Sequence, residues 1–136
     1  MPETPQTLCE AIVAQAADAI IYADTRGAVQ VWNEAAETLF GFTASEVRGQ
    51  SLDLIIPEHL RERHWSAFDR ALETGRTKYA GKAMVTRATH KSGARLYVNL
   101  SFALVKDEAG QVVGSVAIGR DVTAEREAQR TAKVGV

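Results

Sequence analysis

The sequence predicts an α+β fold: a five-stranded antiparallel sheet with helices packed on one face and an amphipathic helix ahead of it. Three observations lead there. The chain has 136 residues, 46% of them apolar, which suits one compact domain with one core. Its hydrophobic period switches between helical and strand-like spacing along the sequence. Two strand-like runs stand before a helical block and three after it, the order expected when helices interrupt a single antiparallel sheet.

Each element follows from local chemistry. Residues 1–6 hold two prolines and polar side chains and read as a flexible tail. Leu8, Ile12, Val13, Ala16 and Ile20 then recur at helical spacing, which predicts an amphipathic helix over 7–17. Ala19-Ile20-Ile21-Tyr22-Ala23 and Val29-Gln30-Val31-Trp32-Asn33 are strands joined by the turn Asp24-Thr25-Arg26-Gly27. A helix from Glu34 to Phe40 stops at Gly41, and Thr43-Ala44-Ser45-Glu46 has the form of a capping box opening a further turn closed by Gly49. Leu52, Leu54, Ile55 and Ile56 form a compact stretch before Pro57, which suits the first turn of a longer helix to about Glu73, stopped by Thr74-Gly75. Strands are predicted over Lys78–Arg87, Arg95–Val105 and Val112–Val122, with turns at 90–93 and 107–110. From Thr123 the residues favour an exposed helix. The domain proper is thus expected over 7–122, and 123–136 as the start of a linker helix.

Composition and motifs exclude several classes. Net charge is -1 and no run of Lys or Arg occurs, which argues against nucleic acid as a partner. No apolar run approaches the roughly 20 residues a membrane span needs, and the N-terminus has no basic-then-apolar signal pattern. A lone Cys9 cannot form an internal disulfide, which fits a reducing, cytoplasmic setting. No nucleophile elbow or phosphate loop is present, and the three histidines lack metal-ligand spacing. The expectation is a domain with no bond chemistry of its own.

The sharpest local feature lies on the long helix. At about 100° per residue, Leu60, His64, Trp65, Ala67, Phe68, Ala71 and Leu72 share one arc, and Glu62, Arg63, Ser66, Asp69, Arg70 and Glu73 fill the other side. His64 therefore points among apolar neighbours, with small alanines nearby leaving room for a flat group. Two readings stand: a core histidine bonded to a backbone carbonyl, or a neutral imidazole ligand to haem iron in an apolar pocket.

The string Asp24-Thr25-Arg26-Gly27-Ala28-Val29-Gln30-Val31-Trp32-Asn33-Glu34-Ala35-Ala36, the string from Leu39 to Gly49, and Gly119-Arg120-Asp121-Val122-Thr123 together resemble PAS domains over roughly 8–126. The resemblance implies a sensor module, usually dimeric, upstream of an output domain. It also implies that Asp121 and Thr123 cap the hinge to the output helix. The stretch from Pro57 to Phe102 resembles, without a gap, the oxygen-sensing haem PAS domains of rhizobial sensor histidine kinases. That likeness implies haem b, with His64 as proximal ligand, Arg70 near a propionate, and Leu100 and Phe102 on the distal side. Leu60 and Phe68 flank the imidazole. The arginine that those domains direct at oxygen falls on Met84, which cannot donate a hydrogen bond. Met84 is a candidate sixth ligand or a core methionine, and Tyr79 is a candidate hydroxyl donor. A diatomic gas that needs no donor, such as carbon monoxide or nitric oxide, or a change of redox state, then suits the site. The alternatives are a haem-free dimerisation or small-metabolite module, pairing as a homodimer through Leu8, Ile12 and Val13, and a non-covalent flavin sensor using Asn33 and Asn99. The Asn-Cys-Arg-Phe string of covalent flavin photosensors is absent.

Overall fold

The first helix is shorter than its hydrophobic pattern suggests, because its carbonyls are claimed from outside. In the computed structural model, which describes residues 6–77 and 82–134, α1 spans Leu8–Gln15, with Thr7 as N-cap accepting from the Glu10 amide. The Asn33 side-chain amide donates to the carbonyls of Val13 and Asp18 at 2.9 and 3.0 Å. Those bonds draw the chain out of the helix and into β1, Ala19–Asp24. Asn33 itself is not the end of β2, which covers Val29–Trp32. Its side chain instead caps α2, Glu34–Phe40, by accepting from the Ala36 amide. Gly41 closes α2 with φ 82°, the left-handed conformation glycine adopts without strain.

The capping box forms as expected. Thr43 Oγ1 accepts from the Glu46 amide, and Glu46 Oε1 accepts from the Thr43 amide, opening α3, Ala44–Val47. A 3-10 turn over Leu52–Leu54 leads to α4, Glu58–Thr74, closed by Gly75. β3 covers Ala83–Thr89, two residues past the predicted C-terminal end: its pairing with β4, Arg95–Lys106, runs on to Thr89↔Arg95. The predicted start at Lys78 lies outside the described residues. β5, Val112–Asp121, and α5, Thr123–Val134, complete the chain.

The five strands form one antiparallel sheet in the order β2-β1-β5-β4-β3. First and last strands thus meet at its centre, and α2, α3 and α4 belong to the connection between the edges. The core gathers where α2 and α3 meet the sheet. Phe40, Val29, Val47 and Val98 are fully buried, and Trp32 packs on Phe40 at 5.3 Å while donating to the Phe42 carbonyl. α4 has no fully buried residue, and it stands off from the β3–β4 side of the sheet.

The β3–β4 hairpin tip is tied to this core. The Lys91 amide donates to the Phe40 carbonyl, its ammonium binds Glu46 at 2.5 Å, and the His90 ring occupies the space above Gly41. His90 is therefore half-buried, where the turn sequence predicted surface. The Lys91 hydrogen bond, helped by the Thr43 amide, holds Glu46 at about 2, well below the ordinary 4.5. Lys91→Ala is expected to move the Glu46 midpoint back toward the ordinary carboxylate range, read by carboxyl carbon NMR over an acid titration.

Candidate functional site

The inward stripe of α4 is set by its anchors. Trp65 Nε1 donates to Asp53 Oδ1 at 2.7 Å, and Arg61 donates to the carbonyls of Ile56 and Asp53. The Trp65 ring packs against Gly27, where a Cβ would overlap it, so the glycine of the β1–β2 turn makes the seat for α4. These contacts fix the rotation of the helix. Leu60, Arg61, His64, Trp65, Phe68, Ala71 and Leu72 become half-buried, centred on His64 and Phe68. Ala67, expected on this face, sits about 90° from that centre and is exposed.

His64 lies inside an aromatic corner. Its ring meets Trp65 edge-on at 4.6 Å and stacks with Phe68 at 6.2 Å and 26°, and Trp65 meets Phe68 edge-on at 5.2 Å. Its Nδ1 is shut off from water and has no hydrogen-bond partner among the described residues. A core histidine bonded to a carbonyl through Nδ1 is therefore not what the chain presents. Burial pushes the imidazole below its ordinary 6.5, against a smaller upward pull from the Asp53 carboxylate. The sign follows from linkage. Unfolded chains protonate this group near 6.5, folded ones only at lower pH, so stability present above 6.5 is lost as pH falls toward the folded value. The haem-free protein is expected to show a lower urea midpoint at about pH 5.5 than at about pH 7.5, and His64→Leu is expected to flatten that dependence.

On the sheet, alternation places Leu96, Val98, Leu100 and Phe102 of β4 on the helix-facing side. Met84 pairs with Leu100, and Phe102 with Ala117 of β5. Leu100 is 6% exposed, whereas Met84 and Phe102 keep 39% and 36% of their surface uncovered. The helix side supplies His64, Leu60 and Phe68 as half-buried groups. Arg70 is exposed on the outer side of α4, and Tyr79 lies outside the described residues. Neither Asp53 nor the seat that Gly27 makes for Trp65 was singled out by sequence reasoning, which placed Trp65 only on the inward arc. Only the tertiary contact reveals them, since an aspartate in a short turn carries no pattern of its own.

The two asparagines considered for a flavin edge are differently placed. Asn33 is 4% exposed and its amide is fully engaged, accepting from Ile20 and Ala36 and donating to Val13 and Asp18. Asn99 pairs with Val85 and Arg120 on the outer face of the sheet. On α1, Leu8 and Ile12 are 77% and 59% exposed, while Val13 is half-buried against the body. At the other end, Asp121 Oδ1 accepts from the Thr123 amide, and Thr123 Oγ1 bonds both the amide and the carbonyl of Tyr97. The hinge is thereby stitched to β4, the strand that carries Leu100 and Phe102.

Among the described residues no helix is long and apolar enough to cross a membrane. A family model described as the PAS fold matches residues 13–127. The sensor protein FixL of Bradyrhizobium diazoefficiens is 28% identical over 93% of this chain and 25% of its own length. The oxygen sensor protein DosP of Escherichia coli is 32% identical over 71% of this chain and 12% of its own. The chain thus spans a quarter or less of these curated relatives. Among solved structures, the PAS domain of a protein from Colwellia psychrerythraea superposes with a TM-score of 0.73 at 25% identity, over 84% of this chain and 93% of that one. A light-oxygen-voltage domain studied with a flavin analogue superposes with a TM-score of 0.68 at 19% identity, over 96% and 95%, and shows the shared fold alone.

Proposed function

The chain belongs to the PAS family, and from that premise we propose that it is a haem-binding sensor domain that reports a diatomic gas or a redox change to an attached output domain. The observation that carries this reading is the His64 imidazole, half-buried, held neutral by desolvation and with a sealed Nδ1 that bonds nothing among the described residues. The donor chemistry fits haem iron, which favours a neutral imidazole in apolar surroundings. The opposing surface fits as well. Met84, Leu100 and Phe102 present thioether, aliphatic and aromatic groups, two of which the chain leaves uncovered. His64 would hold the iron, with Leu60 and Phe68 beside the ring, and Arg70 on the exposed flank would meet a propionate. When bound, haem supplies an iron centre able to take a gas or change oxidation state. The likeness to a protein named as an oxygen sensor supports the same direction.

The residues of this chain would do the relaying. Leu100 and Phe102 lie on the helix-facing side of β4, and Tyr97, three residues before Leu100 or about 10 Å along the strand, holds Val122 and Thr123. A shift of β4 at the pocket end therefore acts on the bonds that set the direction of α5. Such a shift is a population change between two sheet–helix arrangements. Met84 replaces a charged donor with a thioether, so the proposed ligand is one that needs no hydrogen bond from the distal side, or Met84 itself serves as sixth ligand.

The test is optical. Purified protein supplied with hemin is expected to give a saturable Soret band at about 400–430 nm with one haem per chain. Protein that stays colourless under those conditions would leave the haem-free relay module as the better reading.

A further inference from the structure

The outer face of the sheet, away from α4, carries an independent feature around Tyr97. The amide and carbonyl of Tyr97 are taken by Thr123 and Val122. Its pairing with Arg87 of β3 is therefore of the non-hydrogen-bonded kind, in which facing side chains approach most closely. From above, α5 brings Arg126 to 5.3 Å from the centre of the same ring. Arg126, Gln129 and Arg130 share one face of α5 at i, i+3 and i+4, and with Tyr97 they line a groove of about 320 Å³. Arg126 over the ring, Arg130 in the groove and Arg87 opposite Tyr97 on the neighbouring strand make three arginines near one phenol. Among the described residues none of the three forms an ion pair; the pairs present involve Arg61, Lys91 and Arg120. Arg87 Nε is moreover sealed from water with no hydrogen-bond partner.

An anion in the groove would meet Arg126 and Arg130, both exposed on one face of α5 and in no ion pair among the described residues. Three arginines without carboxylates match an oxyanion of charge about -2, because the planar fork of arginine suits phosphate oxygens. We propose that this groove is a second ligand site, for a small phosphate-bearing anion that joins Arg87 of the sheet to Arg126 and Arg130 of α5. Its occupant would fasten α5 at the hinge and so bias the output helix independently of whatever fills the α4 pocket.

The experiment is a titration of the haem-free chain with inorganic phosphate and, separately, adenosine monophosphate, at constant ionic strength. The Nε–H signals of Arg87 and Arg126 and the Tyr97 amide are followed by NMR. Saturable shifts at these three positions are expected, with affinity lowered at least about tenfold in the Arg126→Gln/Arg130→Gln double variant. Arg120→Gln, whose side chain pairs with Asp18 instead, is expected to bind like the parent. Both substituted groove residues are exposed, so a thermal scan is expected to show the variant folded. Tighter binding of the nucleotide assigns the site to phosphate esters, and equal or tighter binding of inorganic phosphate assigns it to the free anion. The proposal is overturned if neither anion gives saturable shifts, or if the double variant binds as tightly as the parent.

Discussion

His64→Ala is expected to lower haem affinity by at least about a hundredfold, since losing only a supporting partner of a metal ligand already costs 10–100-fold. The haem-free variant is expected to stay within about 1 kcal/mol of the parent in urea unfolding. The two halves of this expectation have separate causes. A histidine kept for packing and hydrogen bonding would cost stability when truncated, because its partners would be left unpaired. Here Nδ1 has no partner to lose, and the ring is only half-buried. What truncation removes from the apo protein is aromatic contact with Trp65 and Phe68, offset by deleting a sealed polar atom. Haem titration by absorbance and urea unfolding by circular dichroism measure the two quantities on the same preparation. Met84→Ala is the companion variant, expected to retain haem and to alter only the spectrum of the sixth position. Haem uptake by His64→Ala equal to the parent's would remove the proximal assignment, whatever the colour of the parent.

Much of the fold was legible because its signals are local. The capping box at Thr43–Glu46, the glycine stop after Phe40 and the alternation in β4 are written in neighbouring residues. The errors fall where a distant group decides. α1 ends early because Asn33, 20 residues on, takes the carbonyl of Val13. β3 runs on to Thr89 because Arg95 pairs there. The wheel placed the inward face of α4 well, and it erred at its margins: Arg61 and Trp65 are pinned through Asp53 and Gly27, which draws Arg61 onto the face and leaves Ala67 exposed. Periodicity could place the histidine on the apolar side, but not reveal that its Nδ1 would be left without a partner. That depends on what the turn and the sheet, among the described residues, fail to offer it.

Asn33→Ala is expected to cost about 3–5 kcal/mol, a large part of the roughly 5–15 kcal/mol that a domain of this size has. Four hydrogen bonds converge on one side chain that is 4% exposed. Truncation removes the cap of α2, worth about 0.5–2 kcal/mol. It also strands the Ile20 amide and the carbonyls of Val13 and Asp18 in a partly buried site, at about 1 kcal/mol or more each. Asn33→Asp separates these contributions: the acceptor for Ile20 and Ala36 remains, while both donors are lost and a carboxylate faces two carbonyl oxygens. It is expected to keep α2 capped and to free α1, visible as hydrogen exchange rising over Leu8–Gln15 before it rises in α2. Urea unfolding gives the total cost, and a loss under about 1 kcal/mol for Asn33→Ala would mean that water replaces the amide at this junction. The outcome bears on signalling as well as stability. Asn33 joins α1 to the start of β1, and β1 pairs with β5 from Ala19↔Gly119 onward, the strand that ends at Asp121. A change in the seating of α1 therefore reaches the junction of β5 and α5 through one strand pairing.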